Sequence, residues 1–471
     1  MLDNKSFREE AHKLVDWMAD FYENIEKYPV KSQMSPGEVL QKLPRHPPAQ
    51  GEDFSKIFAD FENIILPGMT HWQSPNFHAY FPGNSSYPSV LGEMLTATLG
   101  AQCMIWETSP AAAELEELMI NWLKPIMNIP DNWTGCIQDT ASTATLAALI
   151  SAREKKTDWS VNKNGFDSNK LRFYCSSETH SSIDKAVKIL GAGAGNLVKV
   201  PVDERLAIIP GKLEELIIKD LEDGYVPCAV VAAVGTTGTL AVDPVDAIGH
   251  MCKQYDIWLH IDAAYAGTAL MLPEYHHFID GISNADSLVF NPHKWMFTNF
   301  DCTVYFIKDE KALTNTFEIL PEYLKTSTRG QVKDYRDWGV PLGRRFRALK
   351  LWFVIRDFGI EGIQKRLREH IGYADWFGQQ VTKAKDYEVV IDPILNVVCF
   401  RYVNTDMSEE KLNELNAELL AAINSSGEAY LSHTKVNGKY SLRMVIGQTY
   451  VQKKHIEKVW NLIQQKASTL T

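Results

Sequence analysis

Lys294 is the side chain in this sequence whose surroundings are most unusual for its type. It lies in the stretch Ser287-Leu-Val-Phe-Asn-Pro-His-Lys-Trp-Met-Phe297, where most of its neighbours along the chain are apolar. A lysine held in apolar surroundings loses hydration, so its pKa falls and the uncharged amine becomes available. Such an amine can form a Schiff base with a carbonyl compound. The alternative is a lysine that extends past the end of an apolar strand into water.

A second candidate is Asp262, which ends the apolar segment Ile257-Trp-Leu-His-Ile261 and precedes Ala263 and Ala264. Small residues at this point let a flat ring approach the backbone. A carboxylate placed there can keep a pyridine nitrogen protonated, and this charge makes pyridoxal 5'-phosphate an electron sink. Asp262 therefore predicts this cofactor, with Lys294 as its Schiff-base lysine. The structural alternative is that Asp262 caps a helix that follows the strand.

Two further segments could supply the other parts of such a site. Gln138-Asp-Thr-Ala-Ser-Thr-Ala144 places small and hydroxyl residues at the start of an apolar helix, and helix N-termini bind phosphate. His180 follows a predicted strand, where an imidazole can stack on a planar ring. Neither pattern is specific, because many helices begin with serine or threonine and a lone histidine is commonly structural.

The composition is that of a globular protein and argues against several other classes. Of the 471 residues, 45% are hydrophobic and 23% are charged, a balance that suits a buried core. The net charge of −11 argues against partners such as nucleic acid or an anionic membrane. Seven cysteines without a C-x-x-C motif predict reduced thiols and no metal site. Because we find no signal peptide and no apolar run of membrane-spanning length, we expect a cytoplasmic protein.

Alternating strands and helices are expected to position the candidate residues. The candidate strands are 172–175, 197–200, 229–234, 258–261, 287–290 and 303–307, and the helical stretches between them are 141–154, 180–190, 211–220 and 244–255. This alternation predicts a doubly wound α/β fold with a mostly parallel central sheet. Ligands bind at the carboxyl ends of such strands, so Asp262 and Lys294 are expected to face one pocket.

The length of the chain predicts two or three domains. We expect an N-terminal helical arm at 1–80, whose amphipathic helix at 5–26 would pack on another subunit. A large α/β domain is predicted at 81–345 and a small C-terminal α+β domain at 346–471.

Taken together, these segments resemble the group II pyridoxal-phosphate decarboxylases, and among them the aromatic-L-amino-acid decarboxylases. The most specific matches are Ile257-Trp-Leu-His-Ile-Asp-Ala-Ala-Tyr-Ala-Gly267 and Asn291-Pro-His-Lys-Trp295, and the similarity extends from the aromatic-rich loop 71–88 to Pro341-Leu-Gly-Arg-Arg-Phe-Arg347. The resemblance implies fold type I, the aminotransferase-like fold, and an obligate homodimer with its active site at the subunit interface. It also implies decarboxylation of aromatic L-amino acids to arylalkylamines and CO2.

The resemblance also implies a role for each candidate side chain. Lys294 would carry the cofactor, Asp262 would pair with its pyridine nitrogen, and His180 and Ala264 would contact opposite faces of its ring. The remaining cofactor-binding positions would be Ala141, Ser142 and Asn291 at the phosphate, Thr237 near the ring oxygen, and His293 next to the lysine.

Tyr323 matches the loop tyrosine that returns a proton to the substrate in this family. Related aldehyde synthases perform an oxygen-dependent decarboxylation–deamination, and they carry phenylalanine at this position or asparagine in place of the stacked histidine. Tyr323 and His180 therefore favour the amine-forming reaction, with an aldehyde synthase as the alternative. A transaminase and a catalytically silent binding protein on the same fold are further alternatives, which fold alone does not exclude.

A substrate pocket with aromatic walls follows from the same resemblance. Its lining positions are Trp72, Tyr80, Phe81, Pro82, Gln102, Met104 and Gly343. Gly343 matches a site where plant relatives have glycine in indole-accepting enzymes and serine in phenol-accepting ones, so tryptophan is an expected substrate. Gln102 and Met104 depart from the animal pattern. The order of preference among tryptophan, hydroxytryptophan, dihydroxyphenylalanine, tyrosine and phenylalanine therefore stays open.

Overall fold

The computed structural model describes residues 2–166, 170–319 and 330–470. These residues form two compact units. The first unit contains the chain up to Pro82, residues 373–390 and the chain from Val398 onward, and the second contains residues 83–372 and 391–397. The three domains expected at 1–80, 81–345 and 346–471 stay a prediction, because the two units describe how the chain packs on itself and not which parts fold alone.

Strands and helices alternate along most of the described chain. The strands are β1 (Phe77–His78), β2 (Thr134–Gln138), β3 (Leu171–Ser176), β4 (Leu197–Val200), β5 (Val226–Ala233), β6 (Trp258–Asp262), β7 (Ser287–Phe290), β8 (Thr303–Ile307), β9 (Tyr387–Val389), β10 (Val397–Tyr402), β11 (Tyr430–Val436) and β12 (Lys439–Val445). The helices are α1 (Asn4–Glu23), α2 (Glu38–Lys42), α3 (Phe54–Asp60), α4 (Tyr87–Leu99), α5 (Pro110–Ile126), α6 (Ala141–Lys156), α7 (Ser160–Asn164), α8 (Ser182–Ile189), α9 (Pro210–Glu222), α10 (Val245–Gln254), α11 (Pro292–Trp295), α12 (Glu310–Phe317), α13 (Arg347–Lys383, interrupted at Gly359), α14 (Glu409–Ser425) and α15 (Lys453–Ala467).

The second unit is built on a seven-stranded sheet in the order β2-β8-β7-β6-β5-β3-β4. Strand β8 is antiparallel to both of its neighbours, and the other strands share one direction. Every residue of β6, β7 and β8 is buried, which is expected for strands covered by helices on both faces. The predicted α/β class with a mostly parallel sheet is therefore confirmed.

Strand β2 is absent from the predicted strands, because its sequence Thr134-Gly-Cys-Ile-Gln138 mixes polar residues with a glycine. The structure explains the glycine. A Cβ atom on Gly135 would lie 2.5 Å from the carbonyl oxygen of Tyr305 on the neighbouring strand. Only a residue without a side chain permits this close approach of the two backbones.

A buried histidine attaches helix α6 to the sheet. His260, on β6, has its Nε2 atom 3.0 Å from Thr145 Oγ1 on α6 and its Nδ1 atom 2.9 Å from Ser287 Oγ on β7. The indole nitrogen of Trp258 donates a further hydrogen bond to Ser287 Oγ. Burial lowers the pKa of His260 to about 3, so the imidazole is neutral at physiological pH.

The first unit has its own five-stranded sheet in the order β1-β11-β12-β10-β9. Its core includes Phe377, Phe400 and Trp460, whose rings meet edge to face. Helix α1 has no buried residue, and its Phe7 is 62% exposed.

In the described residues, no helix combines the length and apolarity that crossing a bilayer requires. The same residues contain no group of three or more His, Cys, Asp or Glu side chains arranged to bind a metal ion. All seven cysteines are buried free thiols.

Acidification is expected to destabilise the fold through His260. Its pKa is about 3 when folded and near 6.5 when unfolded, so its stabilising effect is complete above pH 6.5 and decreases as the pH falls toward 3. The loss from this residue is about 2 kcal/mol at pH 5. Thermal midpoints measured between pH 7 and pH 5 should therefore fall less in His260→Asn than in the unsubstituted protein, although the variant starts lower. Equal slopes would contradict the assignment.

Candidate active site

Lys294 lies in the short helix α11, directly after the buried strand β7. The carbonyl oxygen of Asn291 accepts a hydrogen bond from the backbone amide of Lys294, and the amide group of Asn84 donates to the Lys294 carbonyl oxygen at 2.6 Å. The next residues, Trp295 and Met296, are fully buried, whereas Lys294 itself is half-buried. The backbone of the lysine is thus held on both sides, and its side chain is close to buried apolar residues.

Trp295 strengthens this anchoring. Its indole ring stacks on Tyr265, with ring centroids 5.3 Å apart and an interplanar angle of 9°, and its Nε1 atom donates to His370 Nδ1 at 3.0 Å. Tyr265 follows β6 by three residues, so this contact connects the lysine segment with the segment that carries Asp262. The two parts of the predicted site are therefore fixed by one buried aromatic pair.

Asp262 is the last residue of β6 and is 8% exposed. Its Oδ1 atom accepts a hydrogen bond from the backbone amide of Ala264 at 3.1 Å, and the carbonyl oxygen of Ala264 accepts one from the backbone amide of Asn291 at 3.0 Å. Ala264 therefore links the aspartate to the segment that contains the lysine. A carboxylate bound on one side by a backbone amide can still pair with a cation on the other.

His180 is close enough to both groups to respond to their charges. Partial burial lowers the pKa of His180, the Lys294 cation lowers it further, and the Asp262 carboxylate opposes the shift. Nδ1 of the ring lies 2.8 Å from Ser182 Oγ and 3.1 Å from the Ser182 amide nitrogen. A lysine, a buried carboxylate and a neutral imidazole thus meet at the carboxyl edge of the sheet.

Helix α6 begins at Ala141, where its first backbone amides are free to bind an anion. The Thr140 side chain caps the helix by accepting a hydrogen bond from the amide of Thr143. This N-terminus follows β2 and therefore lies at the same edge of the sheet as Asp262. The predicted phosphate positions Ala141 and Ser142 are the first two residues of the helix.

Thr303 joins this helix N-terminus to the lysine segment, and the sequence does not indicate it. Its Oγ1 atom lies 3.0 Å from the carbonyl oxygen of Asp139 and 2.8 Å from the Asn291 side chain. Both partners are acceptors, since the Asn291 atom is Oδ1, so the single hydroxyl proton of Thr303 is donated to one of these two oxygens at a time. The only signal was its place at the start of β8, and that strand reaches the site because it is antiparallel.

Thr237 and His293, the other two predicted cofactor residues, differ in their exposure. Thr237 is exposed in the turn between β5 and α10. His293 is buried, with Nδ1 2.7 Å from the carbonyl oxygen of Cys302, and burial lowers its pKa to about 4. The roles assigned to these residues stay predictions.

Three of the predicted pocket residues belong to the second unit. The Gln102 Oε1 atom accepts a hydrogen bond from the Arg344 backbone amide at 2.7 Å, and the Met104 carbonyl oxygen accepts one from the Arg336 amide. A Cβ atom on Gly343 would lie 3.2 Å from Gln102 Nε2. The side-chain amide of Gln102 is therefore next to the space that Gly343 leaves.

Four more predicted pocket residues belong to the first unit. Trp72 stacks on Tyr80 at 6.1 Å, and the Tyr80 hydroxyl is 3.1 Å from that of Tyr430. The Phe81 ring lies beneath the guanidinium of Arg443, and Pro82 is buried. Tyr323 lies outside the described residues.

The grouped side chains suit pyridoxal phosphate. An amine, a buried carboxylate and a helix N-terminus match the aldehyde, the pyridine nitrogen and the phosphate of this cofactor. The carboxylate is hydrogen-bonded by one backbone amide, which leaves it able to pair with a protonated ring nitrogen.

Comparison with known proteins agrees with this chemistry. The model of the pyridoxal-dependent decarboxylase conserved domain matches residues 36–403. The chain is 44% identical to phenylacetaldehyde synthase from Arabidopsis thaliana and 42% identical to tyrosine decarboxylase 2 from Narcissus pseudonarcissus; both alignments cover 100% of this chain, with 97% and 95% of the relatives. The crystal structure of Catharanthus roseus tryptophan decarboxylase in complex with L-tryptophan superposes with a TM-score of 0.94 at 38% identity, covering 100% of this chain and 99% of that one.

The chain therefore belongs to the pyridoxal-dependent decarboxylase family. It is a carboxy-lyase of fold type I whose cofactor is pyridoxal 5'-phosphate. When bound, this cofactor supplies the electron sink for cleavage of the bond to the substrate carboxylate. The protein contributes the binding groups, the orientation and the placement of protons.

Removing the Thr303 hydroxyl is expected to weaken cofactor binding. Thr303→Val keeps the shape of the side chain but leaves the Asp139 carbonyl and Asn291 Oδ1 without this donor, at a cost of about 1–3 kcal/mol. Affinity for pyridoxal phosphate, measured by fluorescence titration of apoprotein, should fall roughly tenfold.

Thr316→Val is the matched control, since Thr316 is also buried and its hydroxyl donates to the Ala312 carbonyl inside α12. It should lose stability without losing cofactor affinity. Similar affinity losses in both variants would rule out a specific role for Thr303.

Proposed function

We propose that this enzyme decarboxylates aromatic L-amino acids to the corresponding arylalkylamines and CO2. The observation that carries the proposal is the end-to-end similarity to tyrosine and tryptophan decarboxylases, combined with the grouping of Lys294, Asp262 and His180 at one edge of the sheet. The substrate class is tryptophan, 5-hydroxytryptophan, dihydroxyphenylalanine, tyrosine and phenylalanine.

In this proposal each side chain has a separate task. Lys294 holds the cofactor covalently, Asp262 keeps its ring nitrogen protonated, and His180 and Ala264 hold its ring between them. The phosphate is bound by Ala141, Ser142 and Asn291, with Thr237 near the ring oxygen and His293 next to the lysine. Fixing the ring lets the pocket orient the bond to the carboxylate perpendicular to it, so geometry selects the bond that breaks.

The pocket then selects the side chain of the substrate. Trp72 and Tyr80 are partly exposed aromatic residues that can contact an aromatic ring, with Phe81 and Pro82 beside them. Gln102, Met104 and Gly343 complete the lining. A site for glutamate would instead need a cation to pair with the second carboxylate.

We further propose that the enzyme is a homodimer. Tyr87, Leu91, Leu95 and Leu99 are 53%, 52%, 46% and 64% exposed, and their four-residue spacing places them along one side of α4. An apolar face of this size is unfavourable in water and is typical of an interface. A second copy of the chain, contributing pocket residues to the active site, is the proposed occupant. The cytoplasmic location is likewise an inference from the sequence.

Oxygen-dependent aldehyde formation is the second candidate, because a phenylacetaldehyde synthase is 44% identical to this chain. Tyr323 and His180 favour the amine as product. Incubating the protein and cofactor with the five amino acids, and measuring amine, aldehyde and hydrogen peroxide together, tests both. Amine without peroxide supports the decarboxylase, and peroxide in proportion to CO2 would overturn it.

The product is expected to change when the loop tyrosine loses its hydroxyl. Tyr323→Phe removes the proposed donor that protonates Cα after CO2 leaves, so oxygen can compete. Aldehyde, ammonia and peroxide should then replace most of the amine, as measured by peroxide formed per CO2 released. Tyr335→Phe is the control, since Tyr335 is a buried tyrosine with no assigned role. If Tyr323→Phe still formed only amine at the normal rate, the role would be wrong.

Crowding at Gly343 is expected to shift the substrate range toward smaller rings. Gly343→Ser places a Cβ atom 3.2 Å from Gln102 Nε2, so the amide must move and the pocket becomes narrower. The kcat/KM for tryptophan should fall roughly tenfold relative to that for tyrosine. The double variant Gly343→Ser with Gln102→Ala should recover part of the loss. An unchanged ratio in the single variant would remove Gly343 from the specificity pocket.

A further inference from the structure

The contact between His180 and Ser182 determines where the imidazole carries its proton. The backbone amide of Ser182 lies 3.1 Å from Nδ1, and an amide nitrogen can only donate a hydrogen bond. Nδ1 must therefore be the nitrogen without a proton. The Ser182 hydroxyl, 2.8 Å from the same atom, is then a second donor. The proton of the neutral ring consequently lies on Nε2.

The position of Ser182 is set by packing on the sheet. Ser182 is 8% exposed and is the first residue of α8, whose Ile183, Ala186 and Val187 are buried in the core of the second unit. The amide of Ile183 also donates to the carbonyl oxygen of His180 at 3.0 Å. The helix start therefore holds the backbone and the ring of His180 together.

We propose that Ser182 is a positioning residue that holds His180 as a neutral imidazole with its proton on Nε2. The functional importance of this arrangement rests on the proposed role of His180 against the cofactor ring. A neutral imidazole can stack on a ring that carries positive charge without repulsion. It also leaves a fixed N–H donor at Nε2. A charged imidazole would have to give up the bond from the Ser182 amide, because an amide nitrogen cannot accept the Nδ1 proton.

On balance, the charged groups around His180 lower its pKa, as its partial burial does. Lys294, on α11, and Lys185, on α8, disfavour a second positive charge, whereas Asp262 on β6 favours it. The Ser182 amide stabilises the ring only when Nδ1 is unprotonated, so it lowers the pKa of His180. The Ser182 hydroxyl can turn and accept a hydrogen bond from a protonated Nδ1, so it favours neither charge state by itself. Removing the amide hydrogen must therefore raise this pKa.

The test measures the charge of His180 directly in the apoprotein and in the cofactor-loaded enzyme. Diethyl pyrocarbonate acylates only uncharged imidazole, and mass spectrometry resolves the rate at His180 as a function of pH. In Ser182→Pro, which lacks the amide hydrogen and suits the first position of a helix, the midpoint should lie roughly 0.5–1 pH unit above that of Ser182→Ala, which corresponds to the loss of one hydrogen bond. Acylation above the midpoint should also be faster, because Nδ1 is less protected.

Ser182→Ala and Ser182→Thr both keep the amide hydrogen, so neither should raise the midpoint above that of the unsubstituted protein. Ser181→Ala is the matched control, since Ser181 is exposed and should not affect the titration. The acidic limb of the kcat/KM profile should move with the acylation midpoint. A folded Ser182→Pro protein with the midpoint of Ser182→Ala would overturn the proposal.

This outcome is independent of the proposed reaction. If the unsubstituted enzyme formed no amine from any aromatic amino acid, the proposed function would be wrong. The acylation midpoints would still decide whether Ser182 controls His180.

Discussion

Burial of both faces of the seven-stranded sheet is the constraint on which the site depends. Strands β6, β7 and β8 have no exposed residue, so polar side chains that must contact a ligand can leave the sheet only at the strand ends. Asp262 ends β6, Lys294 follows β7, and His180 follows β3. Since these strands are parallel, one edge collects all three groups.

In the second unit, neutral histidines and paired charges keep the electrostatics simple. Burial lowers the pKa values of His180, His260 and His293, so these rings add no positive charge at neutral pH. The buried guanidinium of Arg344 is bound by both oxygens of Glu116 at 2.7 and 3.2 Å. None of these residues therefore presents an unpaired charge that could pair with the Lys294 amine or the Asp262 carboxylate.

Much of the fold could be predicted because the signals are local. Strands β4, β7 and β8 have the bounds that the sequence predicts, and in β7 and β8 the short runs of buried residues leave clear boundaries. Strand β2 could not be recognised, because its glycine reflects contact with Tyr305, about 170 residues away. Strand β11 could not be recognised either. Its alternating polar residues resemble an exposed segment, although Leu431 and Val436 are buried.

The sequence by itself determined which residues could do chemistry, because an apolar lysine segment and a strand-ending aspartate are visible without knowing their partners. It also indicated the α/β alternation that brings strand ends together. Only the tertiary structure decided that β8 is antiparallel, which places Thr303 between Asp139 and Asn291. It likewise placed the Gln102 amide beside Gly343 and set the proton of His180 through Ser182. The contacts between Thr303 and Asp139 and between Gln102 and Gly343 join residues more than 150 positions apart in the sequence. No local pattern encodes the strand order that creates them.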